Sequence, residues 1–127
     1  MKSETIVLAM AQATFPAMRK ALGAYKLLEA GTLDQAQRLL KEPNIDMFVI
    51  GIHFDDSRAM EFVRMIRSNR RMKSIPILIT RLLPTEQGRI LRETLDVMKV
   101  VMAIDDYLEL EGDPQSEEKI QKAVAAA

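Results

Sequence analysis

The chain has 127 residues, of which 48% are hydrophobic and 28% charged. This is the size and balance of one folded domain and argues against a wholly disordered chain. Its 18 basic and 18 acidic residues cancel, so no overall charge attracts nucleic acid or anionic lipid. The sequence has no cysteine and one histidine, His53, which excludes thiol chemistry, cysteine-bound clusters and two-histidine metal sites within one chain.

The ends of the chain and its hydropathy bear on location. No segment approaches the ~20 apolar residues that a membrane helix needs. Glu4 and a run of only six apolar residues favour a first strand over a signal peptide. We therefore expect one cytoplasmic domain over residues 1–127, with a frayed tail at 123–127, no membrane contact and no bound cofactor or metal.

Short apolar segments alternate with segments of helical period along the chain. The predicted strands are 5–10 (β1), 25–29 (β2), 45–52 (β3) and 75–80 (β4), with strand-like runs at 100–104 and 107–110 (β5). The predicted helices are 15–23 (α1), 33–41 (α2), 57–68 (α3), 84–98 (α4) and 116–124 (α5). Thr32 is the candidate N-cap of α2, and Asp56 or Ser57 that of α3.

The alternation of strands and helices predicts the fold class. Continuously apolar strands are typical of a parallel sheet that is covered on both faces. We expect an α/β three-layer sandwich with a five-stranded parallel sheet in the flavodoxin-like order 2-1-3-4-5.

Four segments together resemble the receiver domain of response regulators, of the CheY-like kind. Residues 45–56 (IDMFVIGIHFDD) are similar to its third strand and following loop, and residues 74–80 (SIPILIT) to its fourth strand. Residues 103–108 (AIDDYL) resemble the start of its fifth strand, and residues 117–120 (EEKI) the start of its last helix. The resemblance covers nearly the whole chain and implies a CheY-like fold and a role in two-component or phosphorelay signalling.

The resemblance also implies functional positions, and the residues found there depart from the family. The phosphoacceptor aspartate that ends strand three corresponds to Gly51, and the acidic pair that binds Mg²⁺ after strand one corresponds to Met10 and Ala11. The lysine after strand five corresponds to Leu110. Mg²⁺ requires oxygen ligands, and the lysine offsets the phosphoryl charge. We therefore predict a degenerate pseudo-receiver that keeps the fold without the phosphorylation chemistry.

The positions that correspond to the family's conformational switch are partly kept. Thr80 matches the hydroxyl residue that ends strand four, although counting from Pro76 puts Arg81 there instead. Tyr107 matches the aromatic switch position. The region 81–102 is longer than in receivers by roughly two helical turns, so α4 is longer or an extra element is present.

Several polar residues have a functional and a plainer interpretation. Asp55 and Asp56 are candidates for a displaced phosphoacceptor or metal pair, but a loop acid plus a helix cap is the preferred interpretation. His53 is a candidate ligand or general base, or a polar residue near the sheet edge. Asp105 and Asp106 are expected in a turn.

A basic segment follows α3 and extends beyond it. Its members are Arg58, Arg64, Arg67, Arg70, Arg71 and Lys73, and Arg81, Arg89 and Arg92 are candidates to extend it. These residues suit a phosphate-contacting surface. No exposed aromatic residues interleave with them, as single-strand binding would require, so a solvated basic face is the preferred interpretation. Most of the nine methionines are expected in the core, with Met72 and Met98 as candidates for an adaptable surface.

The expected function is that of a phosphorylation-independent interaction or dimerisation domain. The partner is another protein or a second copy of the chain, held through the α4–β5–α5 face, with Arg89, Arg92, Tyr107 and Leu108 as contact residues. Two alternatives stay open: a true receiver phosphorylated on Asp55 or Asp56, and a regulatory nucleic-acid-binding protein that uses the segment Arg58–Lys73. We expect no enzyme, because no nucleophile–base pair, metal cluster or phosphate loop is found in the sequence.

Overall fold

The computed structural model describes residues 4–82, 104–110 and 114–126. Its strands are Thr5–Ala9 (β1), Lys26–Ala30 (β2), Met47–Gly51 (β3), Ile77–Leu82 (β4) and Asp106–Leu110 (β5). They form one sheet in the order β2-β1-β3-β4-β5 with every pair parallel. The predicted fold class and strand order are confirmed.

The described residues contain a 3-10 turn at Gln12–Thr14, a single helical turn at Phe54–Ser57, and the helices Phe15–Ala21 (α1), Leu33–Leu39 (α2), Ala59–Ser68 (α3) and Pro114–Ala126 (α5). The predicted α4, the strand-like run 100–103 and Met98 lie outside the described residues. In the part of the chain that is described, no helix is long and apolar enough to cross a membrane.

Two hydrophobic cores cover the two faces of the sheet, because successive strand residues point to opposite faces. Along β1, Ile6 and Leu8 pack in the core that contains α1 and α5, whereas Val7 and Ala9 pack in the core that contains α2 and α3. The same alternation runs along β3 and β4. The sequences of these strands are continuously apolar because both faces of the sheet are buried.

The helices of the second core illustrate why apolar spacing predicts a buried face. Phe62 and Ile66 of α3 are fully buried, and the Phe62 ring meets the Phe48 ring of β3 edge-on at 5.7 Å between centroids. In α2, Leu33 and Ala36 are buried, and the Thr32 hydroxyl accepts a hydrogen bond from the Gln35 amide at 3.2 Å. The predicted cap of α2 is therefore confirmed.

The predicted cap of α3 is wrong. The residue that precedes the helix is Arg58, and no side chain bonds to the first helical amides. Asp55, Asp56 and Ser57 have φ values of 45°, 55° and 66°, so the single turn Phe54–Ser57 contains three consecutive left-handed residues without a glycine. Asp56 and Ser57 are therefore part of the turn, and neither has the extended backbone from which an N-cap side chain reaches the helix.

The last helix packs on the first. Ile120 and Val124 are buried in the core shared with α1, and the Gln121 side-chain amide donates to the Ala21 carbonyl at 2.9 Å. The helix continues through Ala126, so residues 123–126, which were expected to fray, lie inside a helix.

Candidate functional site

A cavity of about 160 Å³ lies at the carboxyl ends of β1, β3 and β4. The direction in which the chain adds strands to the sheet reverses between β1 and β3. β2 lies on one side of β1, whereas β3, β4 and β5 are added on the other side. In open parallel sheets this switch point is where ligands bind. The lining residues are Met10, Ala11, Thr14, Met18, Gly51, Ile52, His53, Phe54, Thr80 and Arg81.

The positions that the receiver resemblance singled out meet in this cavity. Met10 and Ala11 follow β1, Gly51 ends β3, and Thr80 stands beside Gly51 in the parallel register. Among the described residues, no carboxylate side chain lines the cavity. Leu110 ends β5 in register with Leu82, and only its backbone is described.

The backbone at Gly51 is closely covered by β1. A Cβ atom added at Gly51 would lie 3.1 Å from the Met10 Cβ and 3.5 Å from the Met10 Cα. Met10 itself is buried, so a side chain at position 51 would require the chain at Met10 to shift by a few tenths of an ångström.

The cavity contains a buried arginine, Arg81. Arg81 is 5% exposed and Thr80 3% exposed, and both line the cavity. Arg81 was a candidate to extend the basic segment and, counting from Pro76, a candidate for the switch position that ends strand four. Its position directly after five apolar and hydroxyl residues, 76–80, was the available signal, because such a strand delivers its last side chains to the carboxyl edge of the sheet.

The displaced-acid candidates do not line the cavity. The Asp55 carboxylate accepts a hydrogen bond from the Leu33 amide, the first residue of α2, at 2.7 Å. Asp56 is exposed. The left-handed turn thus joins the end of β3 to the start of α2 through Asp55, and neither carboxylate is among the cavity residues.

His53 lies at the cavity and is exposed. Within residues 4–82, 104–110 and 114–126, no three His, Cys, Asp or Glu side chains come together as a metal site would require. His53 thus lines the cavity without a set of further metal ligands in the described part of the chain.

In the structure, the residues of the basic segment differ in exposure. Arg58, Arg64, Arg70, Arg71 and Lys73 are exposed. The Arg67 side chain is only 16% exposed and donates to the carbonyls of Lys73 and Ile75, at 2.8 and 2.7 Å. Arg67 therefore holds the loop between α3 and β4 in place. Met72, a candidate surface residue in that loop, is buried in the core of α2 and α3.

The expected docking face is described in part. Arg89 and Arg92 lie outside the described residues. Tyr107 packs against the core of α2 and α3, whereas Leu108 packs against the core of α1 and α5. The two half-buried side chains lie on opposite faces of the sheet, so by themselves they do not form one patch.

Asp105 lies just before β5 and bonds to β4 and α3. Its carboxylate accepts a hydrogen bond from the Ile77 amide at 2.8 Å and lies 3.2 Å from an Arg67 guanidinium nitrogen. Asp105 and Asp106 were expected in a turn, but Asp106 is the first residue of β5 and Asp105 lies directly before it. The Asp105 carboxylate fixes where β5 starts relative to β4.

Comparison with solved structures shows that this architecture is the receiver fold. The chain is similar to a response regulator from Thermotoga maritima (16% identity, 98% of this chain and 97% of that one, TM-score 0.74). It is similar to a response regulator receiver protein from Pseudomonas putida (16% identity, 100% and 98%, TM-score 0.75). It also resembles the phosphorylated cyanobacterial phytochrome response regulator RcpA (12% identity, 99% and 97%, TM-score 0.76).

No protein-family model matches the sequence, and no curated protein matches it either. The CheY-like fold expected from the sequence is confirmed by the structures. At 12–16% identity these structures establish the fold and leave the chemistry to be argued from the cavity.

Proposed function

We propose that this chain is a receiver-like signalling module that acts in the cytoplasm by binding a protein partner or a second copy, without being phosphorylated. The observation that carries the proposal is the lining of the cavity. At the edge of the sheet where a receiver presents its carboxylates, this chain presents Met10, Ala11 and Gly51.

The chemistry of phosphotransfer supports this proposal. A divalent cation such as Mg²⁺ is held by oxygen ligands in near-octahedral geometry, and the side chains of Met10 and Ala11 have no oxygen. Gly51 has no carboxylate to accept a phosphoryl group. Since a Cβ at position 51 would lie 3.1 Å from the Met10 Cβ, an aspartate there would also require Met10 to shift by a few tenths of an ångström.

Incubation with acetyl phosphate and Mg²⁺ tests the proposal directly. We expect no increase in intact mass and no hydroxylamine-sensitive phosphate, while a receiver with an intact acidic cavity, treated in parallel, becomes phosphorylated. A stable aspartyl phosphate on this chain contradicts the proposal.

The displaced-acceptor alternative is separated by two variants. If phosphate is incorporated, Asp55→Asn and Asp56→Asn identify the acceptor by abolishing the label. We expect neither to matter, because the Asp55 carboxylate is bonded to the Leu33 amide at 2.7 Å and is directed toward α2.

The docking part of the proposal concerns the face formed by predicted α4, β5 and α5. Its described part is an edge strand next to a helix with exposed charges, including Glu118, Lys119 and Lys122. Mixed charge of this kind suits a twofold interface in which each copy offers both signs. Without a phosphoryl group no charge change arises in the cavity, so we propose a constant docking surface.

Sedimentation of the wild type and of charge-reversed variants tests self-association. We expect a concentration-dependent dimer that Lys119→Glu with Lys122→Glu shifts toward monomer. Lys41→Glu, an exposed lysine after α2, is the matched control and leaves the equilibrium unchanged. A strict monomer at high concentration removes the homodimer and leaves the partner-binding form of the proposal.

The nucleic-acid alternative is supported by the five exposed basic residues at and after α3. Gel shift at low and moderate salt distinguishes it from protein docking, because phosphate contacts weaken steeply with salt. We expect no shift at moderate salt. Salt-sensitive binding that is lost in Arg70→Gln with Arg71→Gln favours the alternative.

A further inference from the structure

The cavity lies over a glycine that interrupts a row of side chains across the sheet. Successive strand residues point to opposite faces, and Met10 belongs to the core on the α1 and α5 face. Val49 and Leu78 belong to the same core. The positions two residues further along their strands, Gly51 and Thr80, therefore face the same way, and they are neighbours in the register. A side chain is thus missing between Met10 and Thr80, and all three residues line the cavity.

The walls around this gap are mainly apolar. Met10, Met18 and Phe54 are buried lining residues, and Ala11 and Ile52 add apolar surface closer to solvent. Sites for small molecules are lined mostly by apolar and aromatic side chains in this way. Because Ala11 is exposed, the cavity is open to solvent and a ligand can enter without unfolding of the core.

The charged residues at the cavity do not make it a site for ions. On β4, Ile77 and Ile79 pack in the core of α2 and α3, and Arg81 continues their side of the strand. The Nε and Nη1 atoms of Arg81 are buried, and its side chain has other interactions within the chain. His53 is exposed and solvated, and no carboxylate is found among the described lining residues.

The volume of the cavity limits the size of the ligand. An apolar cavity of about 150 Å³ holds one benzene molecule, and this cavity measures about 160 Å³. The methionine side chains in its walls are flexible, adapt to the shape of a bound group and make favourable contacts with aromatic rings. One ring with a small substituent fits, and a nucleotide does not.

We propose that this cavity binds an uncharged, mainly apolar molecule of about one ring, such as an alkylbenzene. The ring lies over Gly51 beside Met10 and Met18, where it covers apolar surface that water otherwise contacts. A carboxylate or an ammonium group in the same place would lose its hydration without gaining an opposite charge from the described lining residues, which is costly. The site therefore selects against charged ligands of the same size.

This inference goes beyond the proposed docking function and does not depend on it. Binding of a hydrocarbon is measured whether or not the chain self-associates or is phosphorylated. Failure of one proposal therefore leaves the other standing.

Titration of the isotopically labelled full chain with toluene, followed by NMR, tests the place of binding. We expect saturable amide shifts at Gly51, Ile52 and Thr80, and nuclear Overhauser effects between toluene and the methyl groups of Met10 and Met18. The absence of saturable shifts up to the solubility limit of toluene, or shifts confined to residues outside the cavity, overturns the proposal.

Benzoate and benzylammonium test the selection against charge. Each has one ring and one small substituent, as toluene has. We expect each to bind the wild-type chain at least about tenfold more weakly than toluene, because its charge leaves water without a compensating partner. Binding of either ion at the cavity amides as tight as that of toluene overturns the assignment of the ligand class. This comparison requires no variant.

Gly51→Ala tests the gap itself. The added Cβ lies 3.1 Å from the Met10 Cβ and takes part of the space over the glycine. We expect toluene to bind about tenfold more weakly, and benzene, which is smaller by one methyl group, to lose less. Gly31→Ala is the matched control, because its added Cβ lies 3.7 Å from the Gln35 Oε1 atom and outside the cavity lining. Equal toluene affinities in the two variants overturn the assignment of the place.

Discussion

In several irregular segments of this chain, single side chains form the hydrogen bonds that the backbone groups need. Arg67 is the clearest example. It lies on α3, yet its guanidinium bonds to two carbonyls of the loop before β4 and to Asp105 before β5. Sequence spacing assigns Arg67 to a basic surface, but its hydrogen bonds connect three segments of the fold.

Replacing Arg67 tests that role. We expect Arg67→Ala to lower the free energy of unfolding by about 2–3 kcal/mol, because the carbonyls of Lys73 and Ile75 lose a charged donor. Arg64→Ala, on an exposed position of the same helix, changes it by less than about 0.5 kcal/mol. Urea denaturation measures both, and equal effects would show that Arg67 is an ordinary surface residue.

Arg19 and Glu29 form an ion pair that connects α1 to β2. The Arg19 guanidinium donates two hydrogen bonds to the Glu29 carboxylate, each at 2.5 Å. Hydrogen bonding to Arg19 holds the pKa of Glu29 below its ordinary value, and the same pair raises the pKa of Arg19. The ionised form of Glu29 is therefore favoured in the folded chain.

The pH dependence of stability follows from that direction. A carboxyl with a lowered folded-state pKa stabilises the fold at pH values above its unfolded-state pKa and loses this contribution as pH falls through the folded-state pKa. We expect wild type to be more stable than Glu29→Gln at pH 7, with the difference shrinking on acidification below about pH 4.5. Urea unfolding across pH measures it, and a difference that is independent of pH contradicts the assignment.

At the scale of elements, the turn Phe54–Ser57 connects β3, α2 and α3. Left-handed backbone costs roughly 1–2 kcal/mol per residue for residues other than glycine, and here it occurs at three consecutive positions. The turn is held by the bond from the Leu33 amide to Asp55 and by the Arg58 amide, which donates to the Phe54 carbonyl at 2.8 Å. The tertiary contact with α2 stabilises a local conformation that the sequence disfavours.

Two neighbouring substitutions distinguish the contribution of the hydrogen bond between Asp55 and the Leu33 amide from the cost of the left-handed backbone. Asp55→Ala removes the acceptor for the Leu33 amide and is expected to destabilise the chain by about 1–2 kcal/mol. Asp56→Gly places glycine at φ 55° and is expected to leave stability unchanged or raise it. Thermal or urea unfolding compares them, and a loss in Asp56→Gly as large as that in Asp55→Ala would contradict this account.

At the scale of the whole molecule, the central strands carry both cores. β1 and β3 are covered on each face by buried side chains, while β2 and β5 are the edges of the sheet. β2 is also more exposed along its length than β1. β4 is buried on both faces in the same way. We therefore expect β1, β3 and β4, whose carboxyl ends form the cavity, to be the most stable part of the fold.

Native-state hydrogen exchange tests this distribution. We expect the amides of β1, β3 and β4 to exchange most slowly, through global unfolding, and those of β2 and β5 to exchange through smaller openings. The floor of the cavity would then be rigid in the absence of any ligand. Amide exchange in β1 as fast as in β2 would contradict this expected order of strand stabilities.

The sequence by itself determined the alternation of strands and helices, the parallel sheet and its order, because two-sided burial and helical spacing are local patterns. It also determined which residue types stand after β1 and at the end of β3, since the receiver resemblance aligns Met10, Ala11 and Gly51. Only the tertiary structure decided where the charged side chains go. From the sequence, Arg67 and Arg81 were candidates for a basic surface, and Asp55 was a candidate loop acid or displaced phosphoacceptor. Each is instead fixed by contacts or burial that chain spacing does not encode.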